Sequence, residues 1–189
     1  MKVIKTIIAV LLVTALLCTA ASASTFPDVD DNEEYTMAIE FVSGVGLMVG
    51  YGDGTFQPER AVSRAEMATI LCKMMGKDRD LKQDDSVFSD VPTTHWANGY
   101  VVKAASLGYL SGYGNGKFGP DDTVTYEQAL TMLVNALGYG EEAGKHGGYP
   151  DGYIHVACEQ NINLGLAMEK GDKANRWQIA VMLQNVMVF

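Results

Sequence analysis

The chain has 189 residues, 20 of them glycine, and its 23 acidic side chains outnumber 14 basic ones for a net charge of −9. That length holds one domain with a modest core. The charge excludes a general nucleic-acid binder, because phosphate contacts need an excess of Lys and Arg, and it repels other polyanions at long range.

Residues 1–23 read as a leader. Lys2 and Lys5 give a basic start, Ile7 to Leu17 is an apolar run broken only by Thr14, and Ala21-Ser22-Ala23 is a small-x-small cleavage site. This is the order of a secretory signal peptide. The run is shorter than the ~18 apolar residues of a spanning helix, and Leu16-Leu17 before Cys18 argues against a lipoprotein signal. The exported chain is expected to start near Ser24, soluble, with 23 acidic against about 12 basic residues and a net charge of about −11. Its two cysteines, Cys72 and Cys158, read as half-buried thiols with no bond between them, since free cysteine packs as a small hydrophobe.

Phe26-Pro27-Asp28-Val29 comes next, and Phe88-Ser89-Asp90-Val91 matches it 62 residues on. An aromatic anchor followed by Asp reads as a helix start, with the carboxylate accepting free backbone N–H groups. A calcium loop from Asp28, Asp30 and Asn32 is rejected, because Glu33 stands where the turn Gly belongs and Ile39 where a bidentate Glu is required. A first helix is predicted from Tyr35 to Val45, burying Ala38, Phe41, Val42 and Val45. Its counterpart runs from about His95 to Leu107, with Val101, Ala104, Ala105 and Leu107 as candidates for burial. Gly46 and Gly108 stop these helices, and Asn161 holds the same place after a third, from Tyr149.

A glycine loop follows, Gly50-Tyr51-Gly52-Asp53-Gly54-Thr55-Phe56-Gln57-Pro58, and returns as Gly112 to Pro120. It follows a helix rather than a strand, so a nucleotide-binding reading fails. Phe56 and Phe118 are expected to turn back into the core. Each second helix opens on a capping box: Ser63 with Glu66, Thr125 with Gln128, Asn175 with Gln178. Apolar residues at i, i+3, i+4 and i+7 follow in all three copies, from Met67, Ala129 and Ile179. The connectors 76–86 and 139–148 read as exposed loops. The units are thus 24–75, 87–138 and a degenerate 149–189, and a helix pair cannot bury its apolar face alone, so they are expected to pack as one domain.

Phe-x-Asp-Val, His-Trp-Ala, Gly-Tyr-Gly-x-Gly-x-Phe-x-Pro and Ser/Thr-Arg-Ala-Glu, in that order, resemble the S-layer homology (SLH) domain over about residues 26–188. The resemblance implies a mainly α fold: a pseudo-threefold assembly of three helix–loop–helix repeats, a central three-helix bundle with outward prongs. It implies secretion to the cell wall of a Gram-positive envelope, and binding of secondary cell-wall polysaccharide, often ending in a pyruvate ketal. Carried over residue by residue, it points to Arg64, Gly52, Asp53, Gly54 and Trp96, and to Arg176 in a second groove. The chemistry is coherent. A planar guanidinium fork suits a ketal carboxylate, the first turn of a capped helix favours an anion, glycines let backbone N–H groups approach hydroxyls, and an aromatic ring covers a sugar face. Tyr126 replaces Arg in the second copy, and Glu34 replaces Trp in the first. The better groove is therefore expected to use Arg64 with Trp96.

The leading function is a non-catalytic wall-binding module that needs no cofactor. The alternative is an interaction module for other envelope or S-layer proteins that has lost sugar binding. An enzyme is disfavoured, because no carboxylate pair is placed by a motif and His95, His146 and His155 show no nucleophile or metal spacing.

Overall fold

A computed structural model describes residues 25–31, 33–84 and 86–188. The leader read over 1–23 lies outside them, as does Asn32 of the rejected calcium loop. Seven helices are described: α1 Thr36–Gly44, α2 Arg64–Met74, α3 Asn98–Ser106, α4 Tyr126–Ala136, α5 Gly140–Lys145, α6 Asp151–Glu159 and α7 Arg176–Val188. Among the described residues none is long and apolar enough to cross a membrane.

The capping signals start α2, α4 and α7 where expected. Ser63 Oγ accepts from Glu66 N at 3.2 Å while Glu66 Oε2 accepts from Ser63 N at 2.8 Å. Gln128 and Gln178 accept likewise from Thr125 N at 3.3 Å and Asn175 N at 2.7 Å. Gly46, Gly108 and Asn161 all take positive φ, 75°, 76° and 56°, so the three stops hold. The predicted faces of the second helices are buried or half-buried, and Phe56 and Phe118 are fully buried. Val45 and Leu107, expected inside, are 50% and 40% exposed. They sit at the helix ends, where the chain is already turning into the glycine stop.

The two helices that flank one loop, such as α1 and α2, do not form the packing pairs. α3 packs on α2, α6 on α4, and α1, first in the chain, on α7, the last. The backbone before the second helices closes the same circuit. Val62 N donates to Ala174 O at 3.0 Å, Ala174 N to Val124 O at 2.9 Å, and Val124 N to Val62 O at 2.9 Å. Three isolated β-bridges run alongside, Ala61 with Asn175, Ser63 with Thr123, and Thr125 with Lys173.

Three local expectations are corrected. Asp28 and Asp90 accept backbone N–H bonds, but not from a helix. Asp28 takes Phe56 N at 2.8 Å and Gln57 N at 2.7 Å, and Asp90 takes Phe118 N at 2.9 Å and Gly119 N at 2.8 Å. They clamp the far end of the glycine loop, whose N–H groups have no ladder partner. Burial works to raise the Asp90 pKa, yet these two donors, with its own N–H and the Lys117 charge, together hold the carboxyl below its usual range. Second, the connector 139–148 is not a plain loop: it contains α5, and Ala143 is fully buried. Third, the cysteines are free but not alike, Cys72 buried and Cys158 exposed, with burial pushing the Cys72 thiol up to about 11.

Candidate functional site

Arg64 and Arg176 are the first residues of α2 and α7, and neither projects into solvent. Arg64 is 3% exposed and Arg176 7%. Arg64 Nε donates to Phe118 O and Nη2 to Ser111 O, each at 2.7 Å. Arg176 repeats this on the first loop, Nε to Phe56 O at 2.7 Å and Nη2 to Val49 O at 2.8 Å. Each guanidinium lies between two rings. Arg64 Cζ is 4.7 Å from the Tyr113 centroid and 4.6 Å from that of Phe118, and Arg176 Cζ is 4.8 Å and 4.3 Å from Tyr51 and Phe56. Burial lowers both arginine pKa values, with tyrosines and carboxylates opposing it, and a guanidinium starting so high stays charged. Neither arginine has a carboxylate ion pair among the described residues. Each arginine therefore occupies a buried seat rather than a surface salt bridge. Nε and Nη2 fasten one helix to a distant loop, and among the described residues Nη1 has no protein acceptor.

Each seat forms the floor of a groove. The first, about 350 Å³, is walled by Arg64, Tyr113, the Gln128 and Asn135 edge of α4, and Tyr149 and Tyr153. The second, about 210 Å³, is walled by Arg176, Tyr51, the Glu66 and Lys73 edge of α2, and Trp96. The helix packing explains the match. Trp96 lies two residues before the start of α3 and Tyr149 two before the start of α6, and these helices lie on α2 and α4. Both rings stay open, Trp96 at 58% and Tyr149 at 56% exposed.

Trp96 is thus not core, and it stands with Arg176 rather than with Arg64. The ring opposite Arg64 is Tyr149, which the sequence reading did not select as a site residue. A signal for it existed. Gly152-Tyr153 lies 53 residues after Gly99-Tyr100, the same interval that separates Asn161 from Gly108, and it sets Tyr149 in register with Trp96. Gly52, Asp53 and Gly54 are exposed and line neither groove. Asp53 Oδ1 accepts from Thr55 N at 3.0 Å and Thr55 Oγ1 at 2.7 Å, holding the loop tip.

The helix N-termini are also taken. Arg64 N and Ala65 N donate to Asp122 O and Pro120 O, and Arg176 N and Trp177 N to Arg60 O and Pro58 O. The anion site expected there is filled by neighbouring carbonyls. At the third position Tyr126 is buried and its hydroxyl accepts from Asn163 Nδ2 at 2.7 Å.

Residues 25–68 and 87–130 match the S-layer homology domain. The chain is 34% identical over 99% of its length to a cell surface protein of Thermoanaerobacter kivui, covering 25% of that protein. It is 32% identical over 88% of its length to a middle cell wall protein of Brevibacillus brevis, covering 16% of it. A cellulosome-anchoring protein of Acetivibrio thermocellus is 31% identical over 63% of the chain, which covers 27% of that relative. The chain thus spans about a quarter or less of the relatives it matches.

Proposed function

We propose that this chain, with two segments that match the S-layer homology domain, is a non-catalytic envelope-attachment module. In this reading it holds secondary cell-wall polysaccharide in the grooves of Arg64 and Arg176. The observation that carries it is the duplicate construction, a buried guanidinium facing an exposed ring across a sugar-sized cleft, Tyr149 in one and Trp96 in the other. The remaining arginine nitrogen faces an acidic substituent such as a pyruvate ketal, and the ring covers the apolar face of the sugar. The Arg64 groove ranks first for an anion, because none of its lining residues is acidic, whereas the other includes Glu66, paired to Arg60 at 2.7 Å.

The same reading takes residues 149–189 as a third, shortened repeat and the whole as pseudo-threefold. What supports it is that α6, a loop and α7 follow in the usual order, Arg176 copies the seat of Arg64, and helix pairings and backbone bonds each go once round a ring of three. The alignment to the Thermoanaerobacter kivui relative also runs through this part of the chain. A second reading, an interaction module for envelope proteins, is favoured by one observation: two nitrogens of each arginine have structural work, so their presence needs no sugar.

Co-sedimentation with cell-wall sacculi, intact or stripped of secondary polysaccharide, tests this. The wild-type chain is compared with Tyr149→Ala, which spares the arginine seats, and with Trp96→Ala. Binding to intact walls only, weakened about tenfold by Tyr149→Ala and less by Trp96→Ala, is the expected result. A folded chain that ignores intact walls rules out the anchor. Binding indifferent to the polysaccharide assigns the chain to a protein partner.

A further inference from the structure

A set of metal-ligand side chains lines neither groove. His146 caps the C-terminus of α5, and His155 and Glu159 stand one turn apart on α6. The imidazole centroids are 4.1 Å apart with the rings inclined at 34°. His155 Nε2 lies 3.3 Å from Glu159 Oε1, and one ligand atom from each of the three residues falls within 4.8 Å of the others. His146 Nε2 is 3.2 Å from Glu142 Oε1, and Glu142 also takes Lys145 Nζ at 3.0 Å.

This arrangement is built in. Burial of Ala143 seats α5 against the fold, and Gly152 lets α6 pass close under its end, where a Cβ would stand 2.2 Å from Ala143 O and 3.0 Å from His146 O. The approach brings His146 over His155. Sequence spacing does not disclose it, because His155 and Glu159 show only an ordinary helical interval and His146 belongs to another element.

We propose that His146, His155 and Glu159 bind a divalent transition-metal ion of borderline softness, such as Zn²⁺ or Ni²⁺, with a further position open to water. Two imidazoles and one carboxylate are the ligands such ions prefer. Calcium wants six to eight oxygens, which this set lacks. Bonds of about 2.0–2.1 Å bring ligand atoms to roughly 3.3 Å from one another. All three side chains are exposed, so rotamer changes close that gap without moving backbone. Glu142 is the outer carboxylate that orients His146, and Lys145 balances its charge while Glu159 supplies the inner one.

The test is calorimetric titration of the untagged, chelator-treated chain with ZnCl₂, with Co²⁺ as a spectroscopic probe. One ion per chain is expected, with cobalt d–d absorption of a low-coordinate nitrogen–oxygen site. His155→Ala and Glu159→Gln weaken binding at least about tenfold, and Glu142→Gln by about tenfold, the lower end for an outer ligand. None of these residues is buried, so circular dichroism of the variants should match wild type. Absence of saturable binding overturns the site. So does binding that persists unchanged in the double variant His146→Ala/His155→Ala, which assigns the ion to the acidic surface or Cys158. Wall binding is read separately, because the site shares no residue with either groove.

Discussion

At the scale of single residues, Arg64 and Arg176 each do two things. Their charge faces a groove, while Nε and Nη2 tie a helix start to a loop far away in sequence. A charge-assisted hydrogen bond to a carbonyl contributes about 1.5–3 kcal/mol, and removing Arg64 also strands Phe118 O and Ser111 O. Arg64→Ala is therefore expected to lower unfolding free energy by about 3 kcal/mol in urea titration, with Arg64→Lys nearly as costly because an ammonium lacks the fork. A loss under about 1 kcal/mol contradicts the seat. Loss of wall binding in Arg64→Ala alone would thus be ambiguous, which is why the groove variants leave it in place. The motif makes this arginine legible in the sequence. Its acceptors are not, since backbone carbonyls belong to every residue and leave no mark in the pattern.

At the scale of elements, the glycines of one motif have unequal duties. Gly112 passes under Phe88, and a Cβ there would lie 2.4 Å from Lys117 O and 2.5 Å from the ring's Cε1. Gly52 has open space around it and no positive φ. Gly112→Ala should destabilise by about 1–3 kcal/mol or more, as overpacking does, while Gly52→Ala stays within about 0.5 kcal/mol. Thermal unfolding of the two variants side by side checks this, and equal effects would contradict the close approach. The capping boxes, helix stops and inward phenylalanines were legible because each is local. The clamping by Asp28 and Asp90 was not, since their partners lie 28 and 29 residues away.

For the whole molecule, the consequence of circular packing is that no unit is self-contained. α1 rests on α7, and two of the three closing bonds, Val62 to Ala174 and Ala174 to Val124, involve the last segment. A chain ending at residue 138 leaves α1 and the face of α4 uncovered. It should lose its cooperative unfolding transition and much of its helical circular dichroism. A truncated chain that melts sharply near the wild-type temperature would show that the first two units suffice.

The sequence by itself determined where the capped second helices start, where the first helices stop and which face of each second helix is buried, and it singled out the two arginines, because periodicity, caps and stops act within a few residues of chain. Only the tertiary structure decided the partners. Tyr149 rather than Trp96 faces Arg64, helix N-termini that look open to an anion are filled by neighbouring carbonyls, and His146 meets His155 across two helices. Each of these depends on which helix lies on which. That choice comes from closing a ring whose last contact joins the two ends of the described chain, and no local pattern encodes it.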